Sequence, residues 1–84
     1  MTTTGTPWRN RGVPLGLPEA RRAAAAMREL RVPLTQAQFA GKLGHSASWV
    51  AKREQGAVRI TVPEAEMIAA ALGTDLATLT GEAP

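Results

Sequence analysis

The stretch Leu34–Gly56, LTQAQFAGKLGHSASWVAKREQG, decides how this chain folds. Thr35 and Gln38 form a T-x-x-Q capping box, which opens a helix by satisfying two of its unpaired backbone donors. Ala37, Phe39, Ala40 and Leu43 supply the packing side of that helix. Gly44 follows where a left-handed residue ends a helix at little cost. Ser46 is then the natural N-cap of a second helix that runs to about Gln55, with Gly56 closing it. Two short helices hinged on Gly44, His45 and Ser46 have the form of a helix-turn-helix.

Working outward, a first helix is expected from Pro18, a proline suited to a first turn, to about Arg31. Ala20, Ala23, Ala24, Met27 and Leu30 share one helical face, while Arg21, Arg22, Arg28 and Glu29 lie off it. Pro33 stops this helix and biases Val32 toward an extended backbone. After the loop Ala57–Ile60, a second capping box, Thr61 with Glu64, starts a fourth helix at Val62. Ala65, Ile68, Ala69 and Leu72 form its buried stripe, with Met67 and Ala71 beside it, and Gly73 ends it. Asp75 caps a last short helix holding Leu76 and Leu79. The fold class is therefore all-α, a five-helix bundle, without strand signal or internal repeat. Residues 1–16, rich in Thr, Gly and Pro, read as a flexible basic arm; residues 17–80 as the domain; residues 81–84 as a tail.

At 84 residues the chain holds one small domain. Its formal net charge of +3 hides an asymmetry. Ten basic and three acidic residues precede Ile60, whereas four acids and no basic residue follow from there on. Concentrated positive charge is the footprint of a protein that binds a polyanion. There is no Cys and a single His, so disulfides, thiolate metal sites and cofactor-bearing metal clusters are not expected. No nucleophile–base pair, carboxylate dyad or phosphate-cradling glycine loop marks an enzyme. No apolar run approaches a membrane span, and the N-terminus lacks a secretory apolar core. A cytoplasmic protein of bacterial or phage type is the simplest expectation.

From about Ala20 to Leu79 the chain resembles the phage-repressor-like helix-turn-helix domain of lambda repressor, Cro and XRE proteins. Thr35, Gln36, Phe39, Ala40, Leu43, Gly44, Ser46, Val50, Lys52, Glu54 and Gly56 stand in the family's spacing, as do Ala71, Leu72, Gly73 and Leu76. The resemblance implies a sequence-specific regulator of transcription that lays its third helix, about 46–55, in the major groove of double-stranded DNA. It further implies a repressor-like dimer on a palindromic operator. Ala47, Ser48 and Lys52 match the base-reading positions. Lys52 can donate to guanine, Ser48 to several bases, and Ala47 can touch a thymine methyl. Lys52 on a phosphate instead is the alternative.

Gln36 and Ser46, at helix N-termini, are expected to face phosphates, with Lys42, Gln55 and Arg59 flanking the groove. Trp49 either packs on the DNA backbone or covers the seam between helices, and Arg53, one turn on, is placed to reach a phosphate. Glu54 repels phosphate and so reads as structural, an ion-pair partner of helix 1. Because Glu29 occupies the position where the family often carries Arg, Arg28 and Arg31 are both candidates for that pairing. In the arm, Arg9 and Arg11 enter the minor groove or touch phosphates, or are incidental charge. The acidic fourth helix with Leu76 and Leu79 is the expected dimer face. A protein-interaction or antitoxin-like module on the same fold is the alternative function.

Overall fold

The computed structural model describes residues 12–81, so Arg9 and Arg11 lie outside the described residues. Five helices follow in order: α1 Leu17–Leu30, α2 Gln36–Leu43, α3 Ala47–Glu54, α4 Val62–Ala71 and α5 Leu76–Leu79. Among the described residues there is no strand, only an isolated antiparallel bridge between Pro14 and Thr61.

Four of the five helices start on a side chain that accepts a backbone N–H. Thr35 and Thr61 complete full capping boxes, and Ser46 and Asp75 cap α3 and α5. Each such cap contributes about 1 kcal/mol relative to alanine. α1 instead follows Gly16 with no side-chain cap and carries Pro18 in its first turn. Gly44 ends α2 at φ 72°, and Gly56 turns the chain out of α3 at φ 78°. A side chain is strained in that left-handed region, so glycine is required for the sharp reversals on both sides of α3.

The core lies where the five helices meet: Met27 from α1, Phe39 and Ala40 from α2, Val50 from α3, Ala65 and Ile68 from α4, Leu79 from α5. α2 and α3 pack on each other, α1 rests on α3 and α5, and α4 touches α2 and α5. Met67 and Ala71 are half-buried beside the α4 stripe.

Several positions differ from the pattern read along the sequence, and Ala37, expected on the packing side of α2, is exposed. Leu30 is exposed, because the inward place one turn beyond Met27 is taken by Arg31, which meets Glu54. Leu79 is fully buried in its own chain and Leu76 packs beside it, so neither offers a large apolar anchor to a second copy. Residues 13–15, read as part of the arm, are held against the start of α4. Leu15 N–H donates to the Ile60 carbonyl (2.8 Å) and Val62 N–H to the Val13 carbonyl (2.7 Å). Leu15 is only 6% exposed and belongs to the core. Apolar burial of one leucine is worth about 2 kcal/mol, and it acts together with these hydrogen bonds to hold three residues that carry no periodic signal of their own.

Candidate nucleic-acid interface

α3 divides its residues between two jobs. Val50 and Glu54 point inward and are buried, Trp49 and Arg53 lie half-buried at the edge, and Ser48, Lys52 and Gln55 are exposed. Ala47 and Ala51 border the exposed row and are half-buried. Ser46 accepts the N–H of Trp49 (3.1 Å), which fixes the start of the helix. Neither Ser48 nor Lys52 hydrogen-bonds through its side chain to another described residue. Ala47 and Ser48 thus stand in the first turn of α3 and Lys52 in its last, one turn on from Ser48, while Lys42 is exposed in the last turn of α2.

Glu54 joins the first three helices. Its carboxylate accepts from Arg31 twice, at 2.7 and 3.2 Å, and from Gln36 Nε2 at 3.0 Å. Arg28 donates to the Glu54 backbone carbonyl. Both arginine candidates are therefore used, one on the side chain and one on the main chain. The residue is 4% exposed. Burial pushes its carboxyl up, but the hydrogen bonds from Arg31 and Gln36 and the charges of Arg31 and Arg28 outweigh that, leaving it below the ordinary range. A buried carboxylate with this many donors is satisfied rather than reactive. Gln36, expected at a phosphate, here spends its amide on this network.

Arg53 also has another task. Its Nε and Nη2 meet the two oxygens of Glu64 at 3.2 and 3.1 Å, and Nη1 donates to the Trp49 carbonyl at 3.2 Å. The guanidinium lies 3.9 Å over the Trp49 ring, and the side chain is 11% exposed. A fork shared between a carboxylate, a carbonyl and an indole face is committed to joining α3 to α4. Glu64 accepts simultaneously from Thr61 N–H at 3.1 Å, so the helix cap and the inter-helix pair use one carboxylate. Burial raises the Glu64 carboxyl, while Arg53 and Thr61 lower it further than that, for a net depression.

Trp49 carries His45 as well, ring on ring at 4.0 Å and 6°. His45, Trp49 and Arg53 recur every four residues, which is why a turn residue, an indole and a guanidinium gather on one side of α3. The indole is half-buried and packs against the core. Arg59, read as a groove-flanking residue, is exposed but gives Nη2 to the Leu15 carbonyl (2.7 Å), tying down the segment before α1. Gln55 is the C-cap of α3 and exposed.

Among the described residues no cluster of three or more His, Asp or Glu side chains is placed to hold a metal ion. No described helix is long and apolar enough to cross a membrane.

Two capped helices hinged on a left-handed glycine, with the second exposing small and basic side chains, define a helix-turn-helix protein. The family model described as "Helix-turn-helix domain" matches residues 17–80, and the chain belongs to that family. No curated protein and no solved structure matched the chain.

Proposed function

We propose that this chain is a sequence-specific, XRE-like regulator of transcription that reads double-stranded DNA with α3 in the major groove. The observation that carries the reading is the division of α3, with Val50 and Glu54 locked inward and Ser48 and Lys52 exposed and uncommitted. On a duplex, Ala47, Ser48 and Lys52 face base edges. Lys42, Ser46 and Gln55 flank them toward phosphates, together with Trp49 and the free donors of Arg59. Gln36 acts through its position at the start of α2, and Arg53 by fixing the helix rather than by touching phosphate. Arg9 and Arg11 extend the contact along the duplex.

The protein works as a homodimer on a palindrome in the bacterial cytoplasm, with half-sites about 34 Å apart or a multiple of that. It is a binding protein rather than an enzyme. Selection of sites from a random duplex library, followed by mobility shifts over a salt series, tests all of this together. The expected result is one enriched palindromic motif and affinity falling steeply with salt. No enriched motif, or affinity indifferent to salt, would overturn it.

A further inference from the structure

Leu17 and Val58, 55% and 38% exposed, are two of the large apolar side chains on the described surface, and they line one cleft. The cleft, about 370 Å³, runs between the start of α1 and the loop after α3, with Ala20 and Ile60 inside it. Arg21, Arg28 and Arg59 stand around it, all three exposed. The one acid lining it, Glu54, is buried and already holds Arg31 and Gln36. The cleft thus combines two exposed apolar side chains with three exposed arginines.

We propose that this cleft docks an acidic segment of a partner protein that sets one large apolar side chain among carboxylates. The apolar side chain sits between Leu17 and Val58, and the carboxylates meet Arg21, Arg28 and Arg59. Two of these arginines are held ready: Arg28 by the Glu54 carbonyl through Nη1, Arg59 by the Leu15 carbonyl through Nη2. A guanidinium already fixed at one nitrogen loses less freedom when it pairs with a carboxylate.

Other occupants fit less well. A DNA phosphate satisfies the arginines but gains nothing from Leu17 and Val58. The chain's own first residues bring Trp8 together with Arg9 and Arg11, whose charge repels the cleft.

The test uses the full chain, methyl-labelled, and needs no DNA, so it stands or falls separately from the DNA reading. The probe is a synthetic peptide of Asp and Glu with a central Phe-Leu pair, compared with the same peptide carrying Ser-Ser there. The expected result is saturable movement of the Leu17 and Val58 methyl resonances. Loss of roughly tenfold in affinity is expected for the Ser-Ser peptide, and again for Arg21→Glu or Val58→Asp, with the helical circular dichroism unchanged. Equal affinity of the two peptides, or no movement, overturns the proposal. So does movement on dilution of the protein alone, or on Trp8→Ala, each of which gives the cleft to another occupant.

Discussion

Arg53 and Glu64 bind the exposed helix of the motif to the helix after it through two parallel contacts of 3.1 and 3.2 Å, under an indole that the same guanidinium covers. The pair is mostly shielded from water, so it is screened less than a surface ion pair. Arg53→Ala is expected to cost about 1–3 kcal/mol. At about 4–8 °C per kcal/mol for a domain of this size, thermal unfolding by circular dichroism reads the loss directly. Because Arg53 is committed to Glu64, the salt slope of duplex binding stays the same. A slope reduced by about one unit would instead put Arg53 on a phosphate.

Lys52→Ala is expected to weaken binding to the selected operator by about 1–3 kcal/mol and to relax preference at one base pair. Competition binding on single-base operator variants checks this. Uniform weakening on every variant, with the salt slope lowered, would assign Lys52 to a phosphate.

Glu54 makes stability depend on acidity. Its folded-state carboxyl lies below the ordinary range because donors hold the ionised form. A depressed carboxyl contributes stability that is full above its unfolded value, about 4.3, and is lost as pH falls through the lower folded value. Denaturant unfolding of the native chain should therefore weaken as pH drops from about 5 toward 3. Glu54→Gln should be less stable at neutral pH, by about 2–4 kcal/mol, and flatter across that window. Equal pH slopes for the two proteins would sink the assignment.

Leu15→Ala is expected to destabilise the fold by about 2–4 kcal/mol, the cost of emptying a core leucine site. An arm without structure would give a change within about 0.5 kcal/mol. Urea unfolding of this variant therefore measures how firmly the segment before α1 is held.

Gly44→Ala places a side chain at φ 72°, with open space around it. Strain in the backbone, not a clash, sets a cost of about 1–2 kcal/mol, read by the same urea titration.

Most of the frame was legible in the residues because it depends on neighbours in sequence. The caps at Thr35, Ser46, Thr61 and Asp75 and the reversal at Gly44 are local rules, and each stands where those rules put it. The stripe of α4 and the inward Phe39 followed from helical period. What was not legible depends on distant partners. Nothing near Leu15 signals that Ile60 will take its N–H, and nothing near Arg59 signals that it will donate back to Leu15. The residues themselves suggest phosphates as partners of Arg53 and Gln36, because a basic or amide side chain beside a groove has that use. Glu64 and Glu54, brought close only by the packed helices, hydrogen-bond them in the folded chain. The Glu54 contact with α1 was expected, and its choice of Arg31 over Arg28 for the carboxylate came from the geometry at the end of α1.

Among the described residues, the side-chain hydrogen bonds that build the motif include those of Arg31, Gln36, Thr35, Gln38, Ser46, Arg53 and Glu54, and involve no side chain at 47, 48 or 52. Scaffold and vocabulary therefore mutate independently. Exchanging those three residues for other combinations should stay within about 0.5 kcal/mol of the parent stability, as surface changes away from packing features do. On the proposed reading of α3, a gene duplicate of this chain drifts to a new operator by changing Ala47, Ser48 and Lys52, and a designer can use the same three positions as a library.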